Sequence, residues 1–232
     1  MRGTARPIFV IGSLRSGASL LTWSLGQHPN IRPLLDTTWL GSFAANLEQT
    51  YAAAVVRRDI SQLDIAGIEI EDFYAYFGQA IDRLLLSGTG VEEVDGGHDP
   101  EPGLATPHAA PTERWIDGSP AHCFNVAGLR RLFPEARFIH VLRDATSVVE
   151  ALTNEGKRAA YRSHWVAYTE EQAYAHWTES VHACVEAERA FGSATVLRVR
   201  RDDLITSPQA SLIRCLDFVD EPFAPACLRP FR

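Results

Sequence analysis

Residues 7–21 read PIFVIGSLRSGASLL, and the fold class is decided there. Residues 7–12 are an unbroken apolar run with β-branched members, closed by Gly12. That is the pattern of a strand buried on both faces of a parallel sheet. A polar turn follows over residues 13–17, and the apolar-rich stretch 18–27 predicts a helix. Between strand and helix lies the loop Gly12-Ser-Leu-Arg-Ser-Gly-Ala-Ser19. Its two glycines let the backbone fold back so that successive N–H groups point inward, and the helix behind them adds its positive end. Such a loop cradles a phosphate. The spacing matches the common nucleotide-binding loop except that Ala18 stands where the lysine belongs. An ATP or GTP phosphotransferase sets that lysine on the β- and γ-phosphates and uses a carboxylate to help hold magnesium. Here the cation of the loop is Arg15, at its tip.

Outward from the loop, the chain alternates strand and helix signals. His28-Pro29-Asn30 stops the first helix, because proline disfavours helical backbone in the residue before it. The Ala-rich segment 37–58 predicts a second helix. Residues 69–86 predict an amphipathic one, with Ile70, Phe73, Tyr74, Phe77, Ile81, Leu84 and Leu85 on one face. Gly, Pro, Asp, Glu and His dominate 87–112, read as a long mobile surface loop. Arg114-Trp-Ile-Asp117 predicts a short strand, and Ser119-Pro120 the start of a helix reaching residue 133. A strong strand over 136–142 precedes Asp144, placed to cap a helix over 145–154. A basic, aromatic loop over 156–168 then leads to Thr169, which with Gln172 forms a capping box. The helix it opens buries Ala173, Trp177, Val181, Cys184 and Val185. Residues 194–199 predict a further strand, and Ser207-Pro208 the last helix. The expectation is an α/β three-layer fold, P-loop-like, with a central parallel sheet, right-handed crossovers and helices on both faces. No internal repeat is visible, so residues 1–232 read as a single domain.

Composition narrows the function. A formal charge of −7 lacks the broad basic footprint that nucleic acid or an anionic membrane requires, but leaves room for a few local donors around a small anion. The cysteines at 123, 184, 215 and 227 form no C-x-x-C pair and read as reduced thiols, which points to the cytoplasm. The apolar run near the N-terminus is too short for a signal peptide or a membrane span. His122-Cys123 and His182-x-Cys184 do not complete a four-ligand metal set, so no metal is expected.

A phosphate loop with arginine at its tip and no lysine resembles that of the sulfotransferases that use 3′-phosphoadenosine 5′-phosphosulfate. Bacterial members carry P-R-S-G-T-T-L after the first strand; this chain has Leu14-Arg-Ser-Gly-Ala-Ser-Leu20. Leu25-Gly-Gln-His-Pro-Asn-Ile31 is similar to the family segment L-x-x-H-P-x-I, and Asp117-Gly-Ser-Pro120 to D-[KG]-[ST]-P. Residues 132–144, LFPEARFIHVLRD, resemble L-F-P-x-A-[KR]-F-I-x-[LV]-x-R-D. Val199-Arg-Arg-Asp-Asp-Leu204 resembles V-R-Y-E-D-L. The segments occur in the family's order across most of the chain.

The resemblance implies a sulfuryl transfer to a hydroxyl, less readily an amine, of a small-molecule acceptor, leaving adenosine 3′,5′-bisphosphate. It assigns the 5′-phosphate to Arg15 and the loop segment Ser16, Gly17, Ala18, Ser19 and Leu20. The 3′-phosphate falls to Arg143, with Ser147 nearby. Arg201 takes the place of a tyrosine that contacts adenine. Asp36 is the candidate base, where relatives have a glutamate. A homodimer is compatible with the family. The departures are Leu14 for the loop proline, Ala18 for threonine, Ala151 for serine, Gly118 for the lysine of some relatives and Arg201 for tyrosine. They keep open a relative that binds a nucleotide or partner without turnover; an atypical P-loop kinase is the other alternative. Individual residues also carry plainer readings. Asp36 serves equally as a helix cap, Arg143 as a partner of Asp144, His28 as a turn residue and His140 as a core histidine.

Overall fold

Strand β1 (Ile8–Ile11) is buried at every position, and its side chains alternate between the two faces of the sheet it centres. Phe9 and Ile11 enter one core with Leu40, Tyr74, Leu129, Phe133 and Cys184. Ile8 and Val10 enter another with Leu21, Leu25, Leu212, Leu216 and Cys227. The computed structural model describes residues 6–35, 37–57, 60–87, 114–158 and 168–231.

In chain order, β1 is followed by α1 (Ala18–Leu25), β2 (Ile31–Pro33), α2 (Trp39–Val55), α3 (Gln62–Ile65) and α4 (Ile70–Ser87). Then come β3 (Arg114–Asp117), a 3₁₀ turn (Pro120–Phe124), α5 (Val126–Leu132), β4 (Arg137–Leu142), α6 (Ala145–Arg158) and α7 (Glu170–Phe191). Strand β5 (Val196–Arg200), α8 (Arg201–Thr206), α9 (Pro208–Phe218) and a second 3₁₀ segment (Pro225–Phe231) complete the order. The strands form one sheet, order β2-β3-β1-β4-β5. Every pairing is parallel, with Ile8 opposite both Ile116 and Arg137, and Phe138 opposite Val196. Helices cover both faces, as the sequence predicts. All the strands point their C-terminal ends the same way, so the loops after β1, β3 and β4 meet at one end, where ligands of open α/β sheets bind.

Several local expectations are corrected. Ile31–Pro33 is a strand, not merely the end of a turn; it lies at the sheet edge, the one place a proline can pair. The predicted helix from Pro120 to Phe133 is two pieces. His122 and Asn125 make the tighter bonds of a 3₁₀ turn, to Ser119 and His122, before α5 begins. Helix α6 runs on to Arg158, so Gly156, Lys157 and Arg158 are helical and do not open a loop. Residues 201–206, read only as a motif, form α8. The loop predictions for 88–113 and 159–167 lie outside the described residues. Among the described residues, no helix is long and apolar enough to cross a membrane.

Candidate functional site

The loop from Gly12 to Ser19 sits between the end of β1 and the start of α1, as its glycines predict. Gly12 has φ 156°, and a Cβ there would come 2.7 Å from the Val141 carbonyl oxygen and 2.8 Å from the Ser16 hydroxyl. Gly17, at φ 102°, is the N-cap of α1, and a Cβ on it would stand 3.3 Å from the Arg201 side chain. Arg15 at the tip also has positive φ, 63°, which a non-glycine residue adopts at a cost. The Ser16 N–H donates to the Ser13 carbonyl at 3.1 Å, closing the turn. Arg15 and Ser19 are exposed, whereas Ser16 and Ala18 are buried.

Arg143, just past the end of β4, donates from its guanidinium to the Arg15 carbonyl at 2.9 Å. Burial pushes its pKa down, and the positive charges of Arg201 and Arg15 push the same way against Asp144 and Asp202. Arg201, at the start of α8, lies across Gly17. Three arginines from the ends of β1, β4 and β5 therefore meet around one loop. Two buried polar atoms there lack a hydrogen-bond partner: the Ser16 hydroxyl and Arg143 Nε. Converging cations and unmet buried polar atoms give the loop the features of an anion receptor. Ser147 lies in the first turn of α6, where Asp144 accepts its backbone N–H at 2.8 Å. The Ser147 hydroxyl is the first cause holding the Asp144 carboxyl below its ordinary value. Asp144 thus caps α6 as expected, and Arg143 turns to a carbonyl.

Beside this receptor, Asp117 at the end of β3 is fully buried. Its carboxylate accepts from the Ser119 N–H at 2.7 Å and the Thr37 N–H at 3.2 Å. His122 Nε2 lies 3.0 Å from the same carboxylate and 3.2 Å from the Thr37 hydroxyl, which puts its proton on Nε2. The His122–Asp117 pair thus fixes the backbone on either side of Gly118 and the start of the segment preceding α2. Gly118 itself lies against the Thr22 hydroxyl of α1, leaving no room for a Cβ. Asp36 lies outside the described residues.

Sequence reasoning did not place His176 and Trp177 of α7 at this site. His176 Nε2 accepts the Leu14 N–H at 3.3 Å, and the Trp177 indole donates to the Arg143 carbonyl at 3.0 Å. Residues 162 positions apart carry the first of these bonds, and no local pattern announces it. His28, read as a turn residue, bonds the Pro222 carbonyl at 3.0 Å. His140 is a core histidine with Nδ1 2.6 Å from Glu188. Among the described residues, no three His, Cys, Asp or Glu side chains group as metal ligands.

A family model described as "Sulfotransferase family" matches residues 7–225. The chain is 23% identical over 216 residues to protein-tyrosine sulfotransferase A of Caenorhabditis elegans, covering 93% of this chain and 50% of that one. It thus spans about half the length of that relative. In three dimensions it resembles the sulfotransferase domain of the Synechococcus olefin synthase, with a TM-score of 0.58 at 22% identity, covering 100% of this chain and 80% of that one. A sulfotransferase from Mycobacterium avium superposes with a TM-score of 0.59 at 15% identity, covering 99% and 67%.

Proposed function

The chain belongs to the sulfotransferase family, and on that premise we propose that it transfers a sulfuryl group from 3′-phosphoadenosine 5′-phosphosulfate to a hydroxyl, less readily an amine, of a small-molecule acceptor. The observation that carries this reading is the gathering of Arg15, Arg143 and Arg201 around a loop that lacks the nucleotide-triphosphate lysine. The unmet Ser16 hydroxyl and Arg143 Nε fit a ligand with more than one anionic group.

Bound there, the donor supplies the sulfuryl group and a phosphate that leaves. The amides of residues 17–20, the Ser16 and Ser19 hydroxyls and the Arg15 guanidinium hold the 5′-phosphate, where negative charge grows as the bond to sulfur breaks. A well-placed donor to such developing charge is worth about 3–4 kcal/mol of barrier. Arg143 holds the 3′-phosphate, with Ser147 in the next turn, and Arg201 lies along the adenosine side of the loop. Asp36 takes the proton of the acceptor hydroxyl. Because in-line transfer has a loose transition state, positioning and charge neutralisation supply most of the rate.

Calorimetric titration tests this with adenosine 3′,5′-bisphosphate against ADP and against ATP with magnesium. Tight binding of the bisphosphate alone, weakened by about tenfold or more in Arg15→Ala and Arg143→Ala, is expected. Transfer from labelled donor, screened over small hydroxyl and amine compounds and a tyrosyl peptide, then reads the acceptor class. Binding without transfer to any of them would make the chain a nucleotide-binding relative. Magnesium-dependent ATP binding would instead revive the reading as an atypical P-loop kinase.

A further inference from the structure

The donor loop is braced from outside at two adjacent residues of α7. His176 takes the Leu14 N–H on Nε2, and Trp177 gives its indole N–H to the Arg143 carbonyl. Arg143 in turn donates to the Arg15 carbonyl, so one helix holds both arms of the arginine cluster. The Leu14 side chain, on the same residue that donates to His176, packs against the buried cluster of Val148, Val149, Leu152 and Ala173, as do Tyr168 and Trp177. The next residue, Arg15, sits at φ 63°, and a backbone in that region persists only where its surroundings hold it.

Position 14 is where the family segment quoted above has proline. A proline fixes its own φ and has no N–H to satisfy. Leucine has a free φ and a half-buried amide that needs an acceptor. We propose that His176 is a positioning residue that replaces the missing proline: its neutral imidazole, protonated on Nδ1, anchors the Leu14 amide through Nε2 and so holds Arg15 and the amides of the loop in their anion-binding arrangement. Through Trp177 the same helix turn sets Arg143. This bears on the proposed donor site, and it rests on that reading for its consequence to affinity but not for the bond itself.

Two variants separate positioning from bulk. His176→Phe keeps an aromatic ring and removes the acceptor; His176→Gln keeps an acceptor in about the place of Nε2. In the ligand-free protein, amide hydrogen exchange over residues 13–17 accelerates in His176→Phe and stays near wild type in His176→Gln. Affinity for adenosine 3′,5′-bisphosphate falls about fivefold in His176→Phe, the worth of one ordinary hydrogen bond, and recovers in His176→Gln. In a Leu14→Pro background, where the N–H is gone, His176→Phe costs nothing further. Unchanged loop exchange in His176→Phe, or an equal loss in His176→Gln and His176→Phe, would overturn the proposal. If wild type does not bind the bisphosphate yet loop exchange still responds to His176→Phe and not to His176→Gln, the donor reading falls and the positioning role stands.

Discussion

The two ends of the parallel sheet treat arginine in opposite ways. At the N-terminal ends of the strands, Arg114 is 2% exposed. It donates to the Arg6 and Val219 carbonyls and to the Glu221 carboxylate, 3.2 Å away. Arg6 and Arg137 both reach Asp220 on the same side, at 3.2 and 3.5 Å. Arg6, Arg114 and Arg137 each have an acid beside them. At the C-terminal ends, Arg143 donates to a carbonyl, and after burial the largest influence on it is another guanidinium, that of Arg201. Paired charge holds a fold shut. Like charges gathered against their own repulsion store a bias that an arriving anion relieves.

The largest expected effect tests the paired end. Arg114→Met leaves Glu221 buried without its cation, and urea unfolding should report a loss of about 3–5 kcal/mol. Surviving native protein should still bind adenosine 3′,5′-bisphosphate, because the loop is at the far end of the sheet. Next comes the open end. Arg143→Ala should weaken bisphosphate binding by about tenfold to a hundredfold, as loss of a charge-assisted bond implies, while the unfolding free energy holds or rises. A drop in stability as large as that of Arg114→Met would erase the contrast between the ends.

A smaller effect lies midway between them, at His140, Glu188 and Arg198. The Arg198 guanidinium donates to Glu188, and His140 meets it at 2.6 Å. Burial acts upward on the Glu188 carboxyl, but the bonds from Arg198 and His140 outweigh it, so its folded pKa lies below 4.5. Its contribution to stability is therefore complete above that usual value and is lost as the pH falls through the lower folded one. Burial likewise holds the His140 imidazole below its usual 6.5, so acidification through that value also favours the unfolded chain. Melting temperature should fall with pH, and Glu188→Gln should flatten the lower part of that fall. The smallest effect belongs to Arg6→Ala. Its pair with Asp220 is about half exposed on both sides, and its removal should cost less than about 1 kcal/mol.

The loop after β1 was legible because everything that makes it is local: one apolar strand, two glycines and one helix start within fifteen residues. The same holds for Thr169, whose capping box with Gln172 forms as read. Strand β2 was missed because Ile31–Pro33 is too short for a period and contains a proline, a pairing only an edge tolerates. Helix α8 was missed because six residues with two aspartates show no stripe. The rest of the site was hidden for a different reason. The contacts of His176 with Leu14, Trp177 with Arg143, and His122 with Asp117 and Thr37 follow from packing, and sequence spacing does not encode them.

Pro33 has a consequence for how this chain meets others. It occupies one margin of the sheet, in β2, and its ring nitrogen offers no hydrogen to a strand laid alongside. The opposite margin, β5, turns Arg198 and Arg200 to solvent. Among the described residues, both margins therefore repel the add-on strand through which sheets polymerise.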